Sequence, residues 1–185
     1  MSQTPPTARR VSHRHLVVLL TVVAVVAYGL DQLTKVWAVA HLTPGHSTQV
    51  VGTFLQLQLI RNPGAAFSLG TGSTWVLTLI AMAVLVVIVR VSRRLGSRGW
   101  AWAFGLLLGG ALGNLTDRLV REPGVGRGHV VDFIAYSTWF IGNVADIAIV
   151  AAAALIALLA VRGTGVDGRR EGQPTAPDAA PRADV

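Results

Sequence analysis

Asn143 and Asp146 are the two polar side chains in an apolar run, residues 139–161, long enough to cross a bilayer. An ionisable group in such a segment costs about 2.5–3.5 kcal/mol on insertion scales, so Asp146 marks a functional site by default. The two lie three apart and share a helix face. The plainer reading of such residues is a polar contact that glues helices together. A second carboxylate, Asp132, falls in the segment just before this run. Neither Asp132 nor Asp146 has an obvious cation beside it in sequence. If two carboxylates come within hydrogen-bond reach in a dry site, they cannot both ionise. They share a proton, with one pKa depressed and the other raised. One member can then deprotonate a water while the other donates to a scissile carbonyl. That is aspartic-peptidase chemistry, and it requires neither a metal nor a covalent intermediate.

Two further groups accompany this pair. Asn114, Asp117 and Arg118 stand at i, i+3 and i+4 within GNLTDR, on one helix face. Asp117 and Arg118 can pair locally, and a helix-end salt bridge is the bland alternative. Asp31 and Lys35 are four apart, with Lys35 expected to snorkel to the membrane interface.

The elements that must position these residues follow from the apolar runs. Residues 1–14 are polar and read as a disordered cytoplasmic arm. The run that begins at Leu16 continues through Val36 and Ala40 into a retained first helix, since no small-residue cleavage pattern ends it. Residues 41–72 differ in kind. QVVGTFLQLQLI alternates in part and is rich in β-branched and aromatic residues, and RNPGAAFSLGTGS is full of turn formers. A small β-structure on the membrane surface is expected, with Gly64, Ala65 and Ala66 allowing close approach to the backbone. Residues 75–89 form a second span. Residues 100–119 form a third, where Gly105, Gly109, Gly110 and Gly113 permit close helix packing. Residues 120–138 read as a polar loop, 139–161 as the fourth span, and 162–185 as a disordered cytoplasmic tail. The arginines concentrate in the N-terminal arm, the 90–98 loop and the segment after Arg162, which places both termini in the cytoplasm. Asp31, Asn114, Asp117, Arg118, Asp132, Asn143 and Asp146 then gather near the outer leaflet. Asp146 is expected roughly 10 Å below the outer end of its helix.

Composition narrows the chemistry. The chain has 185 residues, 52% of them hydrophobic, which is too apolar for a soluble domain. The absence of cysteine excludes disulfides, a thiol nucleophile and thiolate metal sites. The net charge of +7 sits on arginines at the edges of apolar runs, a topology pattern rather than a nucleic-acid-binding surface. No histidine pair has helical metal spacing inside a span, and Ser68 and Ser73 lack a paired base. No phosphate-cradling glycine loop is present. No metal or cofactor is expected.

Five blocks, in order, carry a resemblance: DQLTK at 31–35, RNPGAAFS at 61–68, GNLTDR at 113–118, VVDFI at 130–134 and NVAD at 143–146. Together, at these spacings, the chain resembles bacterial lipoprotein signal peptidase, signal peptidase II. The resemblance implies an all-α polytopic membrane protein of four transmembrane helices with a small extracytoplasmic β-cradle. It implies an aspartic endopeptidase of the cytoplasmic membrane, inhibited by globomycin. Its substrate would be a prolipoprotein whose cysteine already carries diacylglycerol, cut just before that cysteine. Asp132 and Asp146 match the catalytic dyad. Asp31, Asn62, Asn114, Arg118 and Asn143 match supporting positions. Asp117 shares the GNLTDR block, and Lys35 and Gly64 lie in the first two. The family usually has Phe before the Asn of the last block; here Gly142 stands there, with Phe140 two residues earlier.

The competing class is a small proton-coupled transporter or channel. A relay places acids at several depths across the bilayer, whereas here they stay on one side. A scaffold without chemistry does not account for the clustered acids. Release of a signal peptide from a lipidated precursor separates the peptidase from both.

Overall fold

The computed structural model describes residues 12–64 and 74–170. Four long helices, α1 (His13–His41), α2 (Thr74–Ser92), α3 (Arg98–Val120) and α4 (Val144–Val161), form the body. A four-stranded antiparallel sheet, β1 (Ser47–Val51), β2 (Leu55–Asn62), β3 (Val130–Tyr136) and β4 (Phe140–Gly142), lies at one end in the order β1-β2-β3-β4. α1, α2 and α4 are long and apolar enough to cross a membrane. They leave large apolar side chains such as Val25, Leu33, Ile80, Val87 and Val150 exposed, as lipid-facing surfaces do. α3 has 23 residues, about 34 Å at 1.5 Å each, and is the central helix, packed against the other three. Its apolar coat is thinner because its neighbours cover it.

The glycines of α3 work as expected. A Cβ on Gly109 would lie 2.5 Å from Ala24 O of α1, and one on Gly110 would lie 2.7 Å from Ala145 O of α4. Without side chains there, α3 meets both helices at backbone distance.

Several expectations are revised. Residues 120–138 are not simply a polar loop, since β3 lies within them and pairs with β2. The β-cradle therefore draws on 130–142 as well as on the 41–72 segment; residues 65–73, with Ala65, Ala66 and Ser68, lie outside the described residues. α4 begins at Val144, not at 139. Asn143 is its extended N-cap, and its side chain and that of Asp146 form a reciprocal capping box. Residues 139–142 make the turn and β4 instead. At the other end, 162–170 are folded: Gly96 N–H donates to Val166 O (2.8 Å) and Trp100 Nε1–H to Thr164 O (2.8 Å). Val166 joins an apolar cluster with Leu16, Leu95 and Phe104, which a segment read only by its polarity would not reveal. Residues 1–11 and 171–185 lie outside the described residues.

Candidate active site

β2 and β3 run in one register, Leu55↔Tyr136 to Leu57↔Ile134, and then shift to Ile60↔Asp132 and Asn62↔Val130. The extra residue in β2 is a bulge. Strand side chains alternate in period two, so one inserted residue moves everything after it to the other face. Unbulged, Leu59 would oppose Asp132 and Asn62 would point away from it. The bulge puts Asn62 diagonal to Asp132 on the same face, and Asn62 Nδ2 donates to Asp132 Oδ2 at 2.8 Å. The other face of the strands, with Leu59, Val131 and Phe133, packs on Ala38 of α1.

Asn143 joins the two carboxylates. Its Nδ2 donates to Asp132 Oδ1 at 2.6 Å, and its backbone N–H donates to Asp146 Oδ2 at 3.0 Å. Asn143 Oδ1 accepts Asp146 N–H at 3.1 Å, which closes the capping box. The same amide also donates to Asn114 Oδ1 at 3.2 Å, and Asn114 Nδ2 donates to Asp146 Oδ1 at 3.0 Å. As the third residue of α4, Asp146 lies about 4.5 Å from the helix start rather than 10 Å. Asp132 stands on β3 rather than in a loop.

Beneath this layer lies a buried ionic group. Lys35 is fully enclosed, its Nζ 2.9 Å from Asp31 Oδ2, 2.9 Å from Asp117 Oδ2 and 2.9 Å from Asn114 Oδ1. It does not snorkel to an interface: two carboxylates hold it, and an ammonium in a dry site is kept by such partners. Asp117 does not pair with Arg118, because adjacent helical residues do not face each other. It pairs instead with Lys35 and with Arg121 Nε at 2.6 Å, and its Oδ2 accepts Val131 N–H at 3.1 Å. Asp117 thus pins the strand residue next to Asp132. Asp31 Oδ1 accepts Ala145 N–H at 2.9 Å, one of the unpaired donors at the start of α4. Gly113 makes this approach possible, since a Cβ there would lie 2.3 Å from Asp31 Oδ2. In the sequence Gly113 read as part of a packing stripe and as the first residue of the GNLTDR block, not as room for Asp31.

A cavity of about 370 Å³ opens onto these groups. Asn62, Gly64, Asn114, Arg118, Asp132 and Asp146 line its polar end, and α2 supplies an apolar wall with Leu77, Ile80 and Val84. Arg118 Nη2 donates to Gly64 O at 2.5 Å, while Nη1 is buried without a hydrogen-bond partner among the described residues. Gly64 N–H donates to Asn62 Oδ1 at 2.9 Å, which turns the Asn62 amide toward Asp132. Phe140 also lines the cavity, beside Gly142. A Cβ at 142 would lie 2.5 Å from the Phe140 ring and 2.7 Å from Asp146 Oδ2. Phe140 was noted in the sequence only as a displaced aromatic. Asp132 is 2% exposed, and burial holds its carboxyl up at about 6; the Asn62 hydrogen bond opposes that shift, and the nearby Asp146 charge adds to it.

Fold and site define a class, a polytopic membrane protein built around a linked pair of carboxylates. The comparisons with known proteins carry this further. Residues 23–162 match the family described as Signal peptidase (SPase) II. The lipoprotein signal peptidase of Leifsonia xyli subsp. xyli (strain CTCB07) is 51% identical over 155 residues, covering 83% of this chain and 72% of that protein. That of Mycobacterium tuberculosis (strain ATCC 25618 / H37Rv) is 50% identical over 159 residues, covering 85% and 78%. A solved structure described as a bacterial membrane enzyme superposes with a TM-score of 0.70 at 27% identity, covering 84% of this chain and 94% of that one. The chain belongs to the signal peptidase II family. It is a membrane-embedded peptidase that removes the signal peptide from prolipoproteins.

Proposed function

We propose that Asp132 and Asp146 are the catalytic dyad of this peptidase. The observation that carries this is the Asn143 bridge, whose amide and backbone N–H hold one carboxylate each at the polar end of a single cavity. Asp132, buried and raised to about 6, holds the proton and donates it to the scissile carbonyl. Asp146 lies at a helix N-terminus, where the dipole favours negative charge, and takes the proton of the attacking water. The hydroxyl oxygen bonds to the carbonyl carbon, and the tetrahedral intermediate collapses with protonation of the leaving amine. Asn62, Asn114 and Asn143 fix the carboxylates. Asp31, Lys35 and Asp117 hold α1, α3, β3 and α4 around them. The Nη1 of Arg118, without a hydrogen-bond partner among the described residues, is a donor for the substrate backbone, beside Gly64.

The substrate is a diacylglyceryl-modified prolipoprotein, cut just before the lipidated cysteine. The apolar wall from α2 accommodates a signal-peptide helix, while the lipid anchor holds the bond near the polar end. Both termini are cytoplasmic and the sheet lies outside, as the arginine distribution supports.

Purified Asp132→Asn and Asp146→Asn proteins, incubated with a diacylglyceryl precursor, test the dyad. Both remain folded and inserted, and both lose cleavage. Each single change is about as damaging as the double, since the two act as one unit. A chelator leaves the wild type unaffected. Near-normal turnover in either variant would remove the assignment, and activity lost to a chelator and restored by zinc would replace it with a metal mechanism.

A further inference from the structure

The end of the bundle away from the sheet holds a second cavity, of about 630 Å³. Arg90, Arg93 and Arg94, with Val91, form one side; Val166 and Asp167 of the C-terminal turn form the other. Arg90 lies in the last turn of α2, and Arg93 and Arg94 follow in the turn that ends it, closed by Arg93 N–H to Arg90 O and Arg94 N–H to Val91 O; all three line the cavity. None of their guanidinium groups has an ion pair or hydrogen bond among the described residues. The one carboxylate of the lining is already engaged: Asp167 Oδ1 accepts Arg169 N–H at 3.1 Å, and Oδ2 lies 3.6 Å from Arg169 Nε.

The facing wall is built. Gly96 N–H holds Val166 O, and Gly96 has no room for a side chain, since its Cβ would lie 2.0 Å from Asp167 O. Gly168, at φ +78°, turns the chain back at the same contact. A topology signal needs arginines in a loop and nothing opposite them. A walled cavity with three unpaired guanidiniums is more than such a signal requires.

We propose that this cavity binds the phosphate of an anionic phospholipid headgroup, in the leaflet opposite the dyad. The arginine fork matches phosphate oxygens, and basic pockets at cytoplasmic helix ends take such headgroups. The acyl chains lie along α2, where Val86, Val87 and Val89 are exposed just inside the arginines.

The test uses the full chain in nanodiscs of phosphatidylcholine, alone or mixed with phosphatidylglycerol, and measures the lipid retained on extraction by native mass spectrometry. The wild type retains phosphatidylglycerol in preference to phosphatidylcholine. The triple variant R90Q/R93Q/R94Q lowers that preference by about tenfold or more. The triple variant R14Q/R98Q/R162Q removes the same charge from the same end and keeps it. Gly96→Val keeps every arginine but displaces the wall, and it too loses the preference. Cleavage of the precursor by the arginine variants, which lie far from the dyad, shows that they are folded. Equal loss in both triple variants, or no preference in the wild type, overturns the proposal. So does saturable binding of inorganic phosphate by the wild type that abolishes the lipid preference in the mixed discs, since the ligand is then free phosphate.

Discussion

Asp132 and Asp146 are the same residue type in different settings. Asp132 sits on a strand, 2% exposed, with amide donors on both oxygens; Asp146 sits in the first turn of a helix. If Asp132 donates the proton, kcat/KM falls as pH rises through about 6, because that ratio reports the free enzyme. Asn62 donates to the ionised carboxylate and so favours its charged form. Asn62→Ala lets Asp132 hold its proton to higher pH, and the alkaline limb moves upward while the rate falls about 10–100-fold, the size of a lost hydrogen bond to a charged group. A limb that stays in place, or moves down, assigns the proton elsewhere. Lys35 offers a second test. Lys35→Met leaves Asp31 and Asp117 buried without their shared cation and lowers stability by about 3–5 kcal/mol, read by unfolding in detergent. An unchanged midpoint contradicts the buried network. At Gly142, alanine forces the Phe140 ring or the Asp146 carboxylate to shift, so Gly142→Ala lowers kcat more than it alters unfolding.

Among the elements, the β2 bulge has the clearest consequence. Its sequence mark is the doublet Leu59-Ile60, where the alternation LQLQL breaks. Inserting one residue between Ile60 and Arg61 carries Asn62 one position past Val130 and turns it to the opposite face. The sheet still forms, and cleavage drops by at least as much as in Asn62→Ala. Circular dichroism of the purified variant checks the fold, and precursor cleavage checks the site. Full activity in the insertion variant shows that Asn62 is dispensable or that the register recovers elsewhere. The start of α4 belongs to this scale too. Asp31 of α1 reaches across to Ala145 N–H through the space that Gly113 leaves, so α1, α3 and α4 meet where the dyad is held.

For the whole molecule, the arrangement separates two ends. The sheet and the ionic cluster lie at one end, and the arginines and the folded C-terminal turn lie at the other. A reporter active only outside the cytoplasm, fused after Gly45 or Gly124, is active; fused after Gly96 or Gly163, it is silent. The reverse pattern inverts the proposed orientation and moves Asp132 and Asp146 to the inner leaflet.

Period and polarity in the sequence determined the apolar helices, the glycine face of α3, the strand character of residues around 49–60, and the acids and amides that form the cluster. These depend on local pattern, which a linear chain displays directly. The tertiary structure decided what lies between them. Lys35 four residues from Asp31 reads as a lysine snorkelling to the membrane interface until Asp117 arrives from another helix. Residues 130–136 read as part of a polar loop until β2 pairs with them. Residues 139–143 read as helix until the Asn143 and Asp146 side chains satisfy each other's backbone and start the helix at Val144. In each case the deciding partner is distant in sequence, or is a backbone group with no letter of its own. Contacts of that kind are set by the folded chain and leave no period to read.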